Sequence, residues 1–216
     1  NKSFGIVDGL SIIGTSAETY SSASPDQLEN AKTELANLTK KGFKEQVVFV
    51  IGENGLNLAK TCNVKFPIIK VGNWIGPLIV DAALKNVKTV ILFGYHGKLI
   101  KLAGGIFHTH NHLADGRIEI LVFLAVKEKI PLEIIVKLSC LNTLDEALLL
   151  LEKFNKSKAD KLFSNLSNTI EKRSSDYVNR YTKSDMKIAA IIFDRKRKIR
   201  WSGMNGKDYI SYFQSD

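Results

Sequence analysis

Three times in its first half the chain repeats one pattern: a run of β-branched and aromatic residues, a turn carrying glycine, and an amphipathic segment. The runs are "EQVVFVIGENG", then "FPIIKVGNWIG" leading into "PLIVDAALKN", then "VKTVILFGYHG" leading into "KLIKLAGG". Unbroken apolar runs suit strands covered on both faces, as in parallel sheets. Strand, glycine turn and helix in three successive units predict an open, mainly parallel α/β sheet with flanking helices, a Rossmann-like three-layer arrangement. Just before them, "SPDQLENAKTELANLTKKG" predicts a helix: Ser24 caps it, Pro25 opens it, Gln27 completes a capping box, Lys40 and Lys41 fill the last turn and Gly42 stops it. The first strand is placed at Gln46–Ile51.

Beyond Asn111 the periodicity turns helical. "NHLADGRIEILVFLAVKEK" offers Asn111 as N-cap, and "NTLDEALLLLEKF" has Thr143 and Glu146 in capping-box register. "PLEIIVKLSC" fits strand or helix equally well. Ala159, Leu162, Phe163, Leu166 and Ile170 keep helical spacing in a polar segment, which predicts a surface helix. "KIAAIIFDRKRKIRWSG" predicts a terminal β-hairpin with "DRKRKIR" as its solvated turn. The expected organisation is a single α/β domain with sheet-forming units over 1–110, a mostly helical part over 111–183 and a β-hairpin over 187–202.

Among 216 residues, Lys and Arg exceed Asp and Glu enough to give a formal charge of +9, which favours an anionic partner: a polycarboxylate, a phosphate ester or nucleic acid. Cys62 and Cys140 form no CxxC pair, which argues against a disulfide framework or a cysteine zinc site and fits a cytoplasmic protein. The apolar runs are too short to span a membrane, for which about 18 residues are needed. "NKSFGIVDGLS" has no signal-peptide succession and no initiator Met, so the numbering is expected to begin inside a longer protein. Homo-oligomerisation stays open.

In an open parallel sheet, ligands bind beyond the carboxyl ends of the strands. That geometry selects the turns "GENGLNLAK", "GNWIG" and "GYHGKLIK", with Gly52, Asn54, Gly55, Asn73, Gly76 and Gly94 as candidates for backbone approach to a ligand. None is a GxGxxG or a P-loop, and glycine at strand ends often serves only the turn. Lys98 and Lys101, at i and i+3 of the following helix, are expected to put two ammonium groups on one side of the cleft, suited to carboxylates. The alternation of His108, His110 and His112 raises a zinc site, but HExxH spacing and a cysteine partner are missing, so no metal is expected. His110, near the start of the helix predicted after Asn111, would be neutral and able to hydrogen-bond a ligand. Asp115 and Glu119 repel mildly at i and i+4, so Lys98, Lys101 or Arg117 are expected as partners.

The stretch "GKLIKLAGGIFHTHNHLADGRIEIL" resembles the signature of the cobalt-precorrin-5B C1-methyltransferases of anaerobic cobalamin synthesis. "GNWIG" is similar to that family's asparagine-aromatic-isoleucine-glycine turn, and "GIVDGLSIIGTS" to its lead-in. Two departures stand out: Tyr95 replaces the family's histidine, and His108 replaces its asparagine, so His110 alone of the four histidines matches. The family's N-terminal domain is missing from these residues. The resemblance implies methyl transfer from S-adenosyl-L-methionine to C1 of a cobalt-bound tetrapyrrole polycarboxylate, with no metal held by the protein. It implies the cofactor at the glycine turns, the substrate on Lys98, Lys101, Thr109 and Arg117, and His110 and Asp115 as groups that orient the ring or accept a proton. The alternative is a non-catalytic nucleotide-binding α/β module. A nucleic-acid module ranks third, and no recognised motif supports specific nucleic-acid binding.

Overall fold

The computed structural model describes residues 6–7, 10–11 and 25–213. Strands β1 (Ile6–Val7) and β2 (Leu10–Ser11) pair antiparallel as a separate ribbon. The rest of "GIVDGLSIIGTS", and the Ser24 cap, lie outside the described residues. The main sheet holds β3 (Gln46–Ile51), β4 (Ile68–Lys70), β5 (Thr89–Tyr95), β6 (Lys187–Phe193) and β7 (Ile199–Ser202), in the order β4-β3-β5-β6-β7. The first four run parallel, and β7 returns antiparallel along β6 as the expected hairpin. β3 falls on the residues predicted for it, because a run buried on both faces leaves no polar position to shift the register.

Helices lie on both faces. The larger apolar layer is built by α1 (Pro25–Lys40), α3 (Ile75–Leu84), α4 (His96–Ala103), α5 (Arg117–Lys127), α6 (Leu132–Ser139) and α7 (Leu144–Asn179). The smaller layer is covered by α2 (Glu53–Thr61) and the 3-10 turns Gly206–Asp208 and Ile210–Phe213. From β3 the chain runs out to β4 through α2, then crosses back through α3 on the other face to β5. Strand order therefore reverses between β3 and β5, and open α/β sheets bind ligands beyond the carboxyl ends of the strands at such a reversal.

Two expectations are corrected and one open reading is resolved. Asn111 caps no helix: α5 begins at Arg117 after Gly116 in the left-handed conformation, and Asn111 instead accepts a hydrogen bond from Lys101. "PLEIIVKLSC" is resolved as helix α6. The predicted surface helix is central: Ala159, Leu162, Phe163, Leu166 and Ile170 are fully buried, because α7 lies against β6 and α4. The Thr143–Glu146 capping box starts α7 as expected. Asn155, non-helical at φ −165° and ψ 106°, breaks it, and its side chain accepts from the Lys158 amide to restart the helix.

Further along α7, Glu171 fixes the chain that follows β7. Its buried carboxylate accepts from the amides of Ala190, Asn205 and Gly206. Asp194 and Arg200, at the two ends of the "DRKRKIR" turn, also depart from the solvated reading: Asp194 is buried, and the Arg200 guanidinium lies over Trp201 and bonds Glu152 and Asp160. Only residues 195–198 between them are fully exposed.

Candidate ligand site at the strand ends

Gly52 leaves β3 at φ +82°, a conformation that favours glycine, and N-caps α2 without a side-chain cap. The first amides of α2 thus face the crevice with the positive end of the helix dipole. Ile51 pairs with Gly94, so Gly52 and Tyr95 come next on neighbouring strands, about 5 Å apart. From the N-terminal end of α4, Lys98 reaches back over this point. A Cβ on Gly52 would stand 3.8 Å from the Lys98 Nζ.

Lys98 is half-buried, and among the described residues neither a hydrogen bond nor an ion pair reaches its ammonium. Burial, and then the charge of Lys70, pull its pKa below the ordinary lysine range. The neighbouring charges are committed: Lys70 pairs with Glu53 at 2.5 Å, Arg117 holds Asp115 through two bonds, and Arg197 donates to Asn54 Oδ1 at 3.1 Å. A desolvated cation without an acceptor among the described residues, beside the first amides of a helix, is chemically suited to an anion such as a carboxylate.

Lys101 does not share this role, contrary to expectation. It is fully buried, and its three donors go to the carbonyls of Thr109 and Ala114 and to Asn111 Oδ1, at 3.1, 2.7 and 2.7 Å. Three residues along a helix turn a side chain by about 60°, which carries Lys101 from the rim into the protein. There it pins the loop 105–116. Thr109 and Asn73 are likewise spent on each other: the Thr109 hydroxyl donates to Asn73 Oδ1 at 2.9 Å and its amide to the Asn73 carbonyl at 3.0 Å. This ties the "GNWIG" turn to the histidine loop.

Two of the candidate glycines are required by packing. A Cβ at Gly76 would fall 2.8 Å from Tyr177 Oη and 2.9 Å from Phe107 Cβ. Gly94 leaves room for Leu99, 3.2 Å from where its Cβ would stand, whereas a Cβ at Gly55 would meet only ordinary contacts, the nearest 3.6 Å away. The histidines of the loop do not converge, and the described residues contain no metal-binding cluster of His, Cys, Asp or Glu. His108 packs edge-on against Trp74, with both ring nitrogens buried and unpartnered, and burial followed by His110 lowers its pKa. His110 lies beside His108 and His112 in the loop, seven residues before α5 begins and so not at the start of that helix. Asp115 is exposed, and its bonds to Arg117 are the main cause holding its carboxyl below the usual range.

The reading from sequence missed a set at the end of β5. The Tyr95 hydroxyl donates to Asp145 Oδ2 at 2.5 Å, and Asp145 Oδ1 stands 3.4 Å from His96 Nε2. Tyr95 packs on the smaller apolar layer, whereas His96 faces Phe163 and Trp201 of the larger, so the two meet at Asp145 across the sheet edge. Burial and then the bond to Asp145 push the Tyr95 phenol far above its usual range. For Asp145 burial acts upward, but His96 and Tyr95 outweigh it and hold the carboxyl below the usual range. Fifty positions separate Tyr95 from Asp145, and only the Thr143–Glu146 capping box hinted that a helix start lay there.

The model for the C-terminal domain of CbiD matches residues 108–203. A cobalt-precorrin-5B C(1)-methyltransferase of Prochlorococcus marinus strain MIT 9312 is 81% identical over 99% of this chain and 58% of its own length. Residues 108–203 are therefore similar to the CbiD C-terminal domain, and the chain as a whole to proteins of that methyltransferase name. Identity to relatives of the same name is 73% in the subspecies pastoris strain, over 99% of this chain and 58% of the relative, and 46% in strain MIT 9303, over 98% and 55%. The chain thus spans somewhat more than half the length of the curated relatives it matches. No solved structure matches. The family model covers the histidine loop, α5, α6, α7, β6 and β7, whereas Gly52 and Lys98 lie before it, so the strand-end site straddles its boundary.

Proposed function

We propose that this chain forms the ligand-binding core of a cytoplasmic cobalt-precorrin-5B C1-methyltransferase, which converts cobalt-precorrin-5B to cobalt-precorrin-6A in anaerobic cobalamin biosynthesis. S-adenosyl-L-methionine supplies the methyl group, on a sulfonium centre. The sheet reads as Rossmann-like and doubly wound, with the cofactor in the crevice between β3 and β5. One observation carries the reading: the unpaired, desolvated Lys98 ammonium over Gly52, which fits the carboxylate of the methionine moiety. The relatives named as methyltransferases favour it over a non-catalytic nucleotide-binding module.

In this reading the protein aligns two reactants and keeps water out. The amides of α2 and Lys98 hold the cofactor's amino-acid end. The exposed Lys196 and Lys198 of the turn 195–198, beyond the carboxyl end of β6, offer positive charge to the acetates and propionates of the macrocycle. Asn73, Thr109 and Lys101 shape the wall without touching ligand, and His110 is left as the loop's candidate for orienting the ring. Asp115, clamped by Arg117, is a poor proton acceptor and serves the wall as well. No protein-bound metal takes part in this reading, since the cobalt arrives with the substrate.

The test is turnover by the full-length protein, followed as formation of S-adenosylhomocysteine and methylated corrinoid from S-adenosyl-L-methionine and cobalt-precorrin-5B. The wild type is expected to form both, and Lys98→Ala to lower kcat/KM by about tenfold or more. Absence of both products with the wild type would overturn the proposal.

A further inference from the structure

Two features of the strand-end crevice bear on the cofactor's reactive centre and rest on the cofactor reading given above. The first is the arrangement of Tyr95. Its proton is committed to Asp145 Oδ2 at 2.5 Å, so the lone pairs of the phenolic oxygen are the part left to meet a ligand. Asp145 is depressed and Tyr95 raised, so the pair stays carboxylate and phenol at neutral pH. A phenol that donates to a carboxylate is a stronger acceptor than a free one.

The second is spacing. Tyr95 follows Gly94 on β5, beside Gly52 just past the end of β3, and Lys98 lies one helical turn beyond Tyr95 with its ammonium over Gly52. In S-adenosyl-L-methionine the carboxylate and the sulfonium are separated by three carbons. A carboxylate held at Lys98 and the amides of α2 therefore brings a sulfonium within reach of the Tyr95 ring and oxygen. Carbon atoms bonded to a sulfonium are polarised and donate weak C–H···O bonds, and aromatic faces attract cations. His96 completes the arrangement from behind. It is fully buried and wedged between Tyr95, Phe163 and Trp201, and it keeps Asp145 aimed at Tyr95.

We propose that Tyr95, held by Asp145, recognises the sulfonium and its methyl group, and so distinguishes the charged methyl donor from its neutral thioether product. Tyr95 is the contacting residue, and Asp145 and His96 are positioning residues. Favouring the charged donor also favours release of the product after transfer.

Calorimetric titration of the full-length protein with S-adenosyl-L-methionine and, separately, with S-adenosylhomocysteine tests this without any turnover. The wild type is expected to bind the sulfonium form about tenfold more tightly. Tyr95→Phe and Asp145→Asn are each expected to remove most of that preference while leaving S-adenosylhomocysteine affinity within about twofold, with wild-type circular dichroism as the check on folding. A merely structural role would weaken both ligands alike. Wild-type binding of neither ligand would sink the cofactor reading itself. Binding of both with an unchanged ratio in the two variants would overturn the Tyr95 assignment alone.

Discussion

A single ammonium decides more about this molecule than the three histidines that crowd the neighbouring loop. Lys98 and Lys101 have the same chemistry and sit one turn apart, yet one is matched by three acceptors and the other is left unmatched at the sheet edge. The difference has a pH signature. A lysine whose pKa is depressed when the site is empty loses its proton earlier on the alkaline side. Binding of a carboxylate ligand is thus expected to weaken as pH rises through a value below the ordinary ~10.4 of lysine. Lys98→Arg, which stays protonated, is expected to flatten that decline. Titration of S-adenosylhomocysteine affinity against pH for both proteins checks it, and parallel curves would contradict the role given to Lys98. The residue types at this site were legible in the sequence, because glycine turns and lysines follow the strands directly. The directions of Lys98 and Lys101 were not, since i and i+3 spacing leaves a side chain free to face the rim or the core. Tyr95 and Asp145 were beyond reach, as only the tertiary fold brings them together.

Among the elements, the units around β3, β4 and β5 read cleanly because local pattern and tertiary burial agree there. α7 did not. Its apolar stripe at 159, 162, 163, 166 and 170 says that one face is covered but not by what, and the Asn155 break divides the segment. α5 starts late because its predicted cap, Asn111, is drawn off by Lys101. The join between α3 and α7 gives the prediction at this scale. Gly76 admits the Tyr177 hydroxyl and Phe107, whose rings lie 4.1 Å apart and leave neither room to retreat. Gly76→Ala is expected to cost about 1 to 3 kcal/mol, measured by denaturant unfolding, with ligand affinity in the folded variant little changed. A large loss of affinity without loss of stability would return Gly76 to the ligand site.

Across the whole molecule, strand order places function. The reversal between β3 and β5 puts Gly52, Tyr95 and Lys98 around one crevice, and the β6–β7 hairpin adds a basic rim. A second concavity, a groove of about 670 Å³ between α5 and α7 with Phe123, Lys127 and Lys172 among its walls, lies away from these strand ends. The most direct measurement is a crystal structure of the full-length protein with S-adenosylhomocysteine. The account predicts the ligand carboxylate on Lys98 and the α2 amides, and the sulfur beside Tyr95. Density for the ligand in the groove between α5 and α7, or with its carboxylate away from Lys98, would contradict it.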